Sequence, residues 1–249
     1  MRILAVTNIK GGVGKTTTAV NLAWLSAQAN GRTVLWDLDP QGAATWTLRC
    51  EPHENAGVRK LISGKRELPE LLVHTTWPTL DVIPADFSYR KFDLALSEKK
   101  NPTERLMRMS RPLSENYDTL FLDCPPGATL LTENVLRAAD GVIVPVLPTP
   151  LSLRMLRQLQ EFIGEHGWTD LRLLPFFSMV DRRKSLHIEL IEQLRAEHPL
   201  LLTTEVPYAS DIERMTMRRA PLCSYAPRSP AGQVYSALWA EIEARLSRP

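Results

Sequence analysis

Two lysines and three glycines lie close together near the start of the chain, in the run KGGVGKTTT at residues 10–18. A loop of the form G-x-x-x-x-G-K-[ST] surrounds nucleotide phosphates, with its lysine on the β- and γ-phosphates and its hydroxyl on Mg²⁺. Lys15 and Thr16 fill these two positions, while Ile9 stands where the pattern begins with glycine. The glycines let the backbone curl without side chains in the way. We therefore expect ATP and Mg²⁺ as cofactors, with ATP contacted by Lys10, Gly11, Gly12, Val13, Gly14, Lys15, Thr16 and Thr17.

Aspartates follow two apolar runs further along the chain. The run TLFLD ends at Asp123 and is followed by CPPG, and the run WDLDPQG at residues 36–42 holds Asp37 and Asp39. An aspartate that ends an apolar strand is the Walker B pattern, and its carboxylate holds Mg²⁺ directly or through water. We therefore predict Thr16 and Asp123 as Mg²⁺ ligands. The WDLDPQG run also fits an ordinary Asp-Pro-x-Gly turn after a strand.

The elements that must position these residues alternate between short apolar runs and helical patterns. This alternation predicts an α/β P-loop NTPase fold of three layers, a mainly parallel twisted sheet with helices on both faces. A strand, a glycine-rich loop and a helix in that order place the helix N-terminus on the phosphates, at the carboxyl edge of the sheet. The predicted strands are 3–7, 33–37, 80–84, 119–123, 141–146, 171–179 and 201–206. The predicted helices are 16–29, 102–109, 132–139, 151–165, 186–197 and 231–245.

Length, charge and cysteine content restrict the class of protein. A chain of 249 residues is long enough for one ATPase domain over residues 1–249. Within it, residues 50–75 and 86–115 show the weakest hydropathy patterns for assigning strands and helices. The net charge is only +2, so any nucleic-acid binding must come from a local patch. Cys50, Cys124 and Cys223 lack metal-ligand spacing, and the sequence shows no signal peptide or long apolar segment. We therefore expect a reduced, cytoplasmic location.

Lys10 is the unusual residue of the loop. A lysine at this position points away from the γ-phosphate of its own nucleotide, so it is expected to contact a phosphate only when a second subunit comes face to face with it. This deviant Walker A loop resembles that of the ParA/MinD group of ATPases. The resemblance implies a homodimer that sandwiches ATP, in which Lys10 reaches the partner's nucleotide. Since the loop begins at residue 10, we expect a small ParA-type protein without an N-terminal helix-turn-helix domain.

The run WDLDPQG is similar to the D-x-D-P-Q-G switch of this group. The resemblance implies that Asp39 positions the attacking water and that Asp37 supports the Mg²⁺ shell or the switch geometry. The catalytic residues would then be Lys10, Lys15 and Asp39. No arginine lies beside these motifs, so hydrolysis is expected to be slow and to depend on an adaptor of ParB or McdB type with a basic activating segment.

Downstream, the run SMVDRRKSL at residues 178–186 resembles a stretch that binds non-specific double-stranded DNA in this group, and PVLPTP at 145–150 resembles its P-V-x-P segment. Arg183 falls on the DNA-binding arginine, and Pro207 falls in the loop that packs on the adenine. After Pro207 the chain departs from the basic segment of the group, with Asp211 near the place of a second arginine. The candidate DNA contacts are Arg182, Arg183, Lys184, Arg214, Arg218 and Arg219. The last three also fit a solvated helix face.

These features predict a nucleoid-associated ATPase whose ATP state binds DNA and positions a plasmid, a chromosome or a protein assembly such as a carboxysome. One alternative is a MinD-like membrane ATPase, which needs a cationic amphipathic helix at its C-terminus. The last predicted helix carries Glu241 and Glu243, which anionic lipid would repel, so we expect it to pack on the core and not on a membrane. The other alternative is an ATP-dependent biosynthetic enzyme on the same fold, for which the sequence offers no substrate-binding constellation.

Overall fold

The computed structural model describes residues 1–29, 31–52 and 57–247, and its centre is a seven-stranded sheet. The strands are β1 (Arg2–Val6), β2 (Thr33–Asp37), β3 (Val73–His74), β4 (Leu80–Ile83), β5 (Thr119–Asp123), β6 (Gly141–Val146) and β7 (Arg172–Phe177). Their order across the sheet is β3-β4-β2-β5-β1-β6-β7. Every neighbouring pair is parallel except β3 and β4. The predicted α/β architecture is therefore confirmed.

Helices cover both faces of the sheet. In chain order they are α1 (Lys15–Ala29), α2 (Ala43–Thr47), α3 (Val58–Ile62), α4 (Phe92–Ser97), α5 (Arg105–Ser110), α6 (Leu130–Ala138), α7 (Pro150–Glu165), α8 (Ser185–Glu197), α9 (Ser210–Glu213), α10 (Met215–Arg218), α11 (Leu222–Tyr225) and α12 (Pro230–Leu246). On one face, Leu22 of α1 packs in the same core as Leu238 of α12. On the other, Val135 of α6, Leu156 of α7 and Leu194 of α8 form a second core.

The apolar stripe of α12 faces this first core. Tyr235, Leu238, Trp239 and Ile242 are buried there, as expected for a core-packing helix. Glu241 accepts hydrogen bonds from the Thr204 amide and the Thr204 hydroxyl, which connects α12 with the segment at residues 201–206. Within the described residues, no helix is long and apolar enough to cross a membrane.

Two of the predicted elements are wrong in form. Residues 201–206 run beside β7 but form no strand. The Leu202 amide donates to the Pro175 carbonyl and the Val206 amide donates to the Phe177 carbonyl, both at 2.8 Å. Between these two bonds the segment spans four residues while β7 spans two, so the regular pairing of a β-ladder is lost. Pro175 also has no N–H to return. The helix predicted at 102–109 begins as a 3₁₀ turn and becomes α-helical only as α5. The two-residue strand β3 was not predicted.

Candidate nucleotide site

Three loops with candidate catalytic residues follow three adjacent strands in the middle of the sheet. β5 lies between β1 and β2, and Asp123 is in register with Val6 on one side and Asp37 on the other. The loop after β1 is the phosphate loop, the loop after β2 holds Asp39, and the turn after Asp123 carries the two prolines. Since all three strands are parallel, the three loops meet at one carboxyl edge.

The phosphate loop is a tight curl closed by its own lysines. Gly12 and Gly14 have φ of 68° and 89°, a region that favours glycine. A Cβ on Gly14 would lie 3.1 Å from the Ser178 hydroxyl, so this position also needs a small residue for space. Lys15 is buried, and its Nζ donates to the Lys10 carbonyl at 3.1 Å. Val13 is buried beneath the loop, while Gly11 is exposed and Thr16 and Thr17 are partly exposed on the first turn of α1.

Asn8 orients the entrance of this loop, a role that the motif alone did not reveal. Its Nδ2 donates to the Pro145 carbonyl at 2.8 Å, and its Oδ1 accepts from the Lys10 amide at 2.9 Å. Asn8 therefore joins the start of the loop to the end of β6. The signal available in the sequence was an amide side chain between the apolar run of β1 and the glycine-rich loop. On the opposite side, the Gly127 amide donates to the Ile9 carbonyl at 3.1 Å and joins the phosphate loop to the turn after Asp123.

Asp123 is a fully buried carboxylate at the end of β5. It has no exposed surface, and within the described residues neither of its oxygens has a hydrogen-bond partner. Burial, reinforced by the charge of Asp37, raises the pKa of Asp123 well above its usual range, and the Thr16 hydroxyl and Lys15 only partly oppose this. An unpaired buried carboxylate is costly. Mg²⁺ typically takes one or two carboxylates and completes its shell with phosphate oxygens and water, so Asp123 and Thr16 fit that ion.

Lys15 is the cation of the same site. Burial lowers the pKa of its ammonium group, while the nearby carboxylates of Asp123 and Asp39 favour the charged form. A partly desolvated ammonium group is suited to binding phosphate, because the phosphate oxygens replace the favourable interactions with water that the group loses on burial. Cys124 is fully buried, and burial raises the pKa of its thiol, so it fills space as an inert side chain.

The two aspartates of the switch have different surroundings. Asp37 is buried, and its Oδ2 accepts from both the Thr45 amide at 2.8 Å and the Thr45 hydroxyl at 2.7 Å. Its Oδ1 accepts from the Asp39 amide at 3.2 Å. Burial, opposed by these bonds, raises the pKa of Asp37 to about 6. Asp39 is partly exposed, and within the described residues its carboxylate accepts a single hydrogen bond, from the Gln41 amide at 2.9 Å. Of the two roles predicted for Asp37, these contacts favour shaping the switch, and they leave Asp39 accessible to water.

Pro207 lies at the end of the segment that runs along β7. It pairs with Val180 in an isolated parallel bridge and borders a cavity of about 390 Å³, which Val234 of α12 also lines. Pro207 is thus beside an open cavity near β7, which lies two strands away from β1, the strand that leads into the phosphate loop.

The basic residues after β7 form two groups. In the first, Arg183 makes a bidentate ion pair with Asp181, at 2.8 and 2.9 Å, and Arg182 pairs with Glu205 at 2.8 Å. Lys184 is exposed just before α8 and has no ion-pair partner among the described residues. Arg182 and Arg183, two of the six residues predicted to contact DNA, are therefore already paired with carboxylates within the chain.

The second group is fixed to the helix that follows the switch. The Arg219 guanidinium lies 3.9 Å from the centre of the Trp46 ring, and its Nε donates to the Trp46 carbonyl at 2.8 Å. Arg49 donates to the carbonyls of Arg218 and Arg219, both at 3.0 Å. Arg218 also stacks over Tyr225, and Arg214 lies 3.6 Å from Asp211. The structure thus connects α2 with α10 and does not bring this group together with Arg183 in any hydrogen bond.

Comparison with known sequences agrees with the site. The AAA domain family matches residues 1–169. The sporulation initiation inhibitor protein Soj of Bacillus subtilis is 34% identical over 249 residues, which cover 98% of both chains. The chromosome partitioning protein ParA of Myxococcus xanthus is 34% identical over 250 residues, covering 98% of this chain and 88% of that one.

Solved structures share the fold and hold the expected ligands. A cobyrinic acid a,c-diamide synthase from Mycobacterium smegmatis with bound ADP and magnesium is 27% identical over 96% of this chain and 93% of that one, with a TM-score of 0.79. An ATP complex of a Cyanothece McdA variant, 19% identical, covers 98% of this chain and 96% of that one with a TM-score of 0.84 and shares the fold. The chain is an ATPase that uses ATP and Mg²⁺ and belongs to the ParA/Soj family of partition and positioning ATPases.

Proposed function

We propose that the chain forms an ATP-dependent homodimer that binds non-specific double-stranded DNA and positions a cargo on the nucleoid. A cytoplasmic adaptor of ParB or McdB type, with a basic activating segment, triggers hydrolysis and releases the protein from DNA. In this scheme Lys15 neutralises the phosphates, Thr16 and Asp123 hold Mg²⁺, and Asp39 orients the attacking water. ATP supplies the phosphoryl group, and Mg²⁺ offsets the charge that develops on it.

The observation that carries the dimer is the state of Lys10. Its carbonyl and amide are both used inside the loop, by Lys15 Nζ and by Asn8. Its side chain is partly exposed and, within the described residues, has no ion-pair partner. Since Lys15 already provides the buried cation of this subunit, an uncommitted second lysine at the mouth of the loop is suited to the nucleotide of a facing subunit.

The ion pairs of Arg182 and Arg183 explain why DNA binding would need the dimer. A DNA phosphate must replace Glu205 or Asp181 at these arginines, so each exchange gains less than a contact by an unpaired arginine. Non-specific binding lies at about 10⁻⁴–10⁻⁶ M. Two such surfaces on one rigid dimer make the second contact intramolecular, which adds on the order of 10²–10⁴ in avidity. ATP then controls DNA binding through dimerisation.

The test is the affinity of the purified chain for non-specific duplex DNA in the presence of ATP, ADP or no nucleotide, across a salt series. Asp39→Ala holds the ATP state, and Asp39→Ala combined with Lys10→Ala is the matched variant that loses the inter-subunit lysine. We expect tight, salt-sensitive binding only with ATP, and loss of both dimer and DNA binding in the double variant. DNA binding that ignores the nucleotide would contradict the proposal, as would a monomeric Asp39→Ala variant in saturating ATP.

One comparison favours a second candidate, an ATP-dependent amide-forming synthase, because the Mycobacterium smegmatis neighbour with that name is 27% identical. Such an enzyme would consume ATP only with a carboxylic acid substrate and a nitrogen donor. ATP turnover that DNA and a partner protein leave unchanged, but that cobyrinic acid with glutamine accelerates, would favour this candidate over positioning.

A further inference from the structure

Outside the nucleotide site, a cavity of about 200 Å³ lies between α3 and α5. Leu61, Leu68 and Met109 form its apolar wall. Leu61 and Leu68 belong to the second core, so this wall has a fixed shape. The volume is below the range of about 300–1,000 Å³ that is typical of sites for drug-sized ligands, so the cavity suits a small ion or a small metabolite.

The charged groups that line this cavity are mostly cationic. Within the described residues, three arginines and a single carboxylate line it, namely Arg66, Arg105, Arg108 and Glu67. The Glu67 carboxylate already accepts a hydrogen bond from the Glu70 amide in a capping box. The lining is therefore net positive, and such a potential favours an anion.

Arg105 brings an unused hydrogen-bond donor to the cavity. Its Nη2 donates to the Lys100 carbonyl at 2.7 Å, but its Nε is buried and has no hydrogen-bond partner among the described residues. Nor does its guanidinium group form an ion pair with any described carboxylate, in contrast to Arg108. A buried donor without a partner is costly, so an acceptor oxygen in the cavity would stabilise this side chain.

The backbone that carries Arg105 is held in place by a buried amide of α6. The Arg105 and Leu106 amides donate to Asn134 Oδ1 at 3.0 and 3.3 Å. Asn134 Nδ2 donates to the Pro102 carbonyl at 2.8 Å, and Asn134 itself is buried. The start of α5 is therefore fixed before any ligand binds, which lowers the entropic cost of binding.

Arg108 and Arg66 supply further positive charge. Arg108 donates to Glu104 through Nη2 at 2.7 Å, and a guanidinium group has five N–H donors, so others remain for a ligand. Arg66 Nε lies 3.8 Å from the Glu70 carboxylate, which is beyond hydrogen-bond distance.

We propose that this cavity, here named the arginine cavity, binds a small oxyanion, either a phosphate ester or a carboxylate with few carbon atoms. The anionic group lies on Arg105, Arg108 and Arg66, and the carbon atoms lie on the apolar wall. Planar guanidinium groups bind phosphate and carboxylate oxygens in the same bidentate manner, so the arginines fit both. This site is separate from the one that holds ATP.

The test measures binding of inorganic phosphate and of succinate by isothermal titration calorimetry at low salt. Mg²⁺ and a non-hydrolysable ATP analogue are present to fill the phosphate loop. We expect the wild type to bind at least one of the two anions, and Arg105→Gln to bind it about tenfold more weakly, since a hydrogen bond to a charged group contributes about that much. Arg105→Lys keeps the charge but loses the planar fork, so it should recover only part of the affinity.

The fold should survive these substitutions, because Asn134 holds the Arg105 amide and not its side chain. Circular dichroism checks this. Arg108→Gln, at a more exposed arginine of the same cavity, is a second variant and should weaken binding by a few-fold.

The control variant is Arg154→Gln on α7, which removes the same charge at an exposed position outside the arginine cavity and should bind the anion like the wild type. Equal loss of affinity in Arg105→Gln and Arg154→Gln would mean general attraction to a basic chain and would overturn the proposal. Binding that disappears when the ATP analogue is added would place the anion in the phosphate loop and would also overturn it, as would a wild type that binds neither anion. Tighter binding of phosphate would support a phosphate ester as the ligand, and tighter binding of succinate would support a carboxylate.

Discussion

The carboxyl edge of the sheet and the arginine surface after β7 hold their charges in opposite ways. At the edge, Asp123 and Lys15 are buried, and neither oxygen of Asp123 has a hydrogen-bond partner within the described residues. On the surface, Arg183 and Arg182 are exposed and already paired with carboxylates at 2.8 Å. The edge thus holds a buried carboxylate that a bound cation would satisfy, whereas the surface must exchange an internal partner for an external one. Large, ligand-dependent effects are expected at the edge and modest, salt-dependent ones on the surface.

The largest effect is expected for Asp39→Ala. Removing the carboxylate that orients the attacking water should lower single-turnover ATP hydrolysis by about 10²–10³, comparable to the loss of one preorganised catalytic group. ATP binding should persist, because Lys15, Thr16 and Asp123 remain. The exposed Asp170→Ala provides the matched control and should hydrolyse ATP at the wild-type rate. Unchanged hydrolysis in Asp39→Ala would assign the water to another residue.

Asp123→Asn should separate stability from function at the edge. Because burial raises the pKa of Asp123, the fold disfavours the charged form of its carboxylate. The free energy of unfolding therefore falls as the pH rises from the pKa of this group in the unfolded chain to its higher pKa in the folded protein. Asparagine removes the part of this penalty that depends on charge, so without nucleotide the variant should be more stable than the wild type at neutral pH, by about 1.4 kcal/mol for each unit by which the pKa is raised. The advantage should shrink towards acidic pH.

Thermal unfolding with and without Mg²⁺-ATP measures this effect. The order should reverse with Mg²⁺-ATP, because only the wild type gains the metal contact. Asp118→Asn, at an exposed aspartate whose carboxylate accepts from the Arg32 amide at 2.9 Å, is the control and should lose stability under both conditions. A less stable nucleotide-free Asp123→Asn would show that the carboxylate is already compensated and would remove the contrast between the two regions.

On the arginine surface, two substitutions should act in opposite directions. Asp181→Asn releases Arg183 and should strengthen DNA binding in ATP by a few-fold, whereas Arg183→Ala should weaken it. Each phosphate contact changes the slope of log K against log salt by about 0.9, so the slopes of the two variants should differ by up to about that amount. Filter binding across a salt series measures both. If both variants bind like the wild type, Arg183 has no contact with DNA.

The two regions also differ in how far the sequence predicts them. The phosphate loop depends on local backbone geometry at Gly12 and Gly14, and Asp123 ends a strand whose register follows from parallel pairing. These features are readable from neighbouring residues. The hydrogen bond from the Thr45 hydroxyl to Asp37, eight residues earlier, depends on how α2 packs after the switch, and neighbouring residues in the sequence do not predict it.

Surface charge depends even more on tertiary contacts. The acid that neutralises Arg182 is Glu205, 23 residues later, and it lies in the segment mistaken for a strand. The count of arginines therefore predicts a basic patch that the fold partly cancels.

The smallest effect concerns the contact between α2, which follows the switch, and the second group of basic residues around α10. Arg219→Ala removes the cation–π contact with Trp46, worth about 0.5–1 kcal/mol at an exposed site, and the hydrogen bond to its carbonyl. Arg218→Ala is the matched control, since it removes a comparable stacking contact with Tyr225 and leaves Trp46 in place. If α2 transmits the nucleotide state of the switch, the emission of Trp46, taken as the difference from Trp46→Phe, should change with ATP in the wild type and in Arg218→Ala but not in Arg219→Ala. An identical ATP response in both variants would mean that the Arg219–Trp46 contact does not couple α2 to the second basic group, so that dimerisation alone connects ATP with DNA.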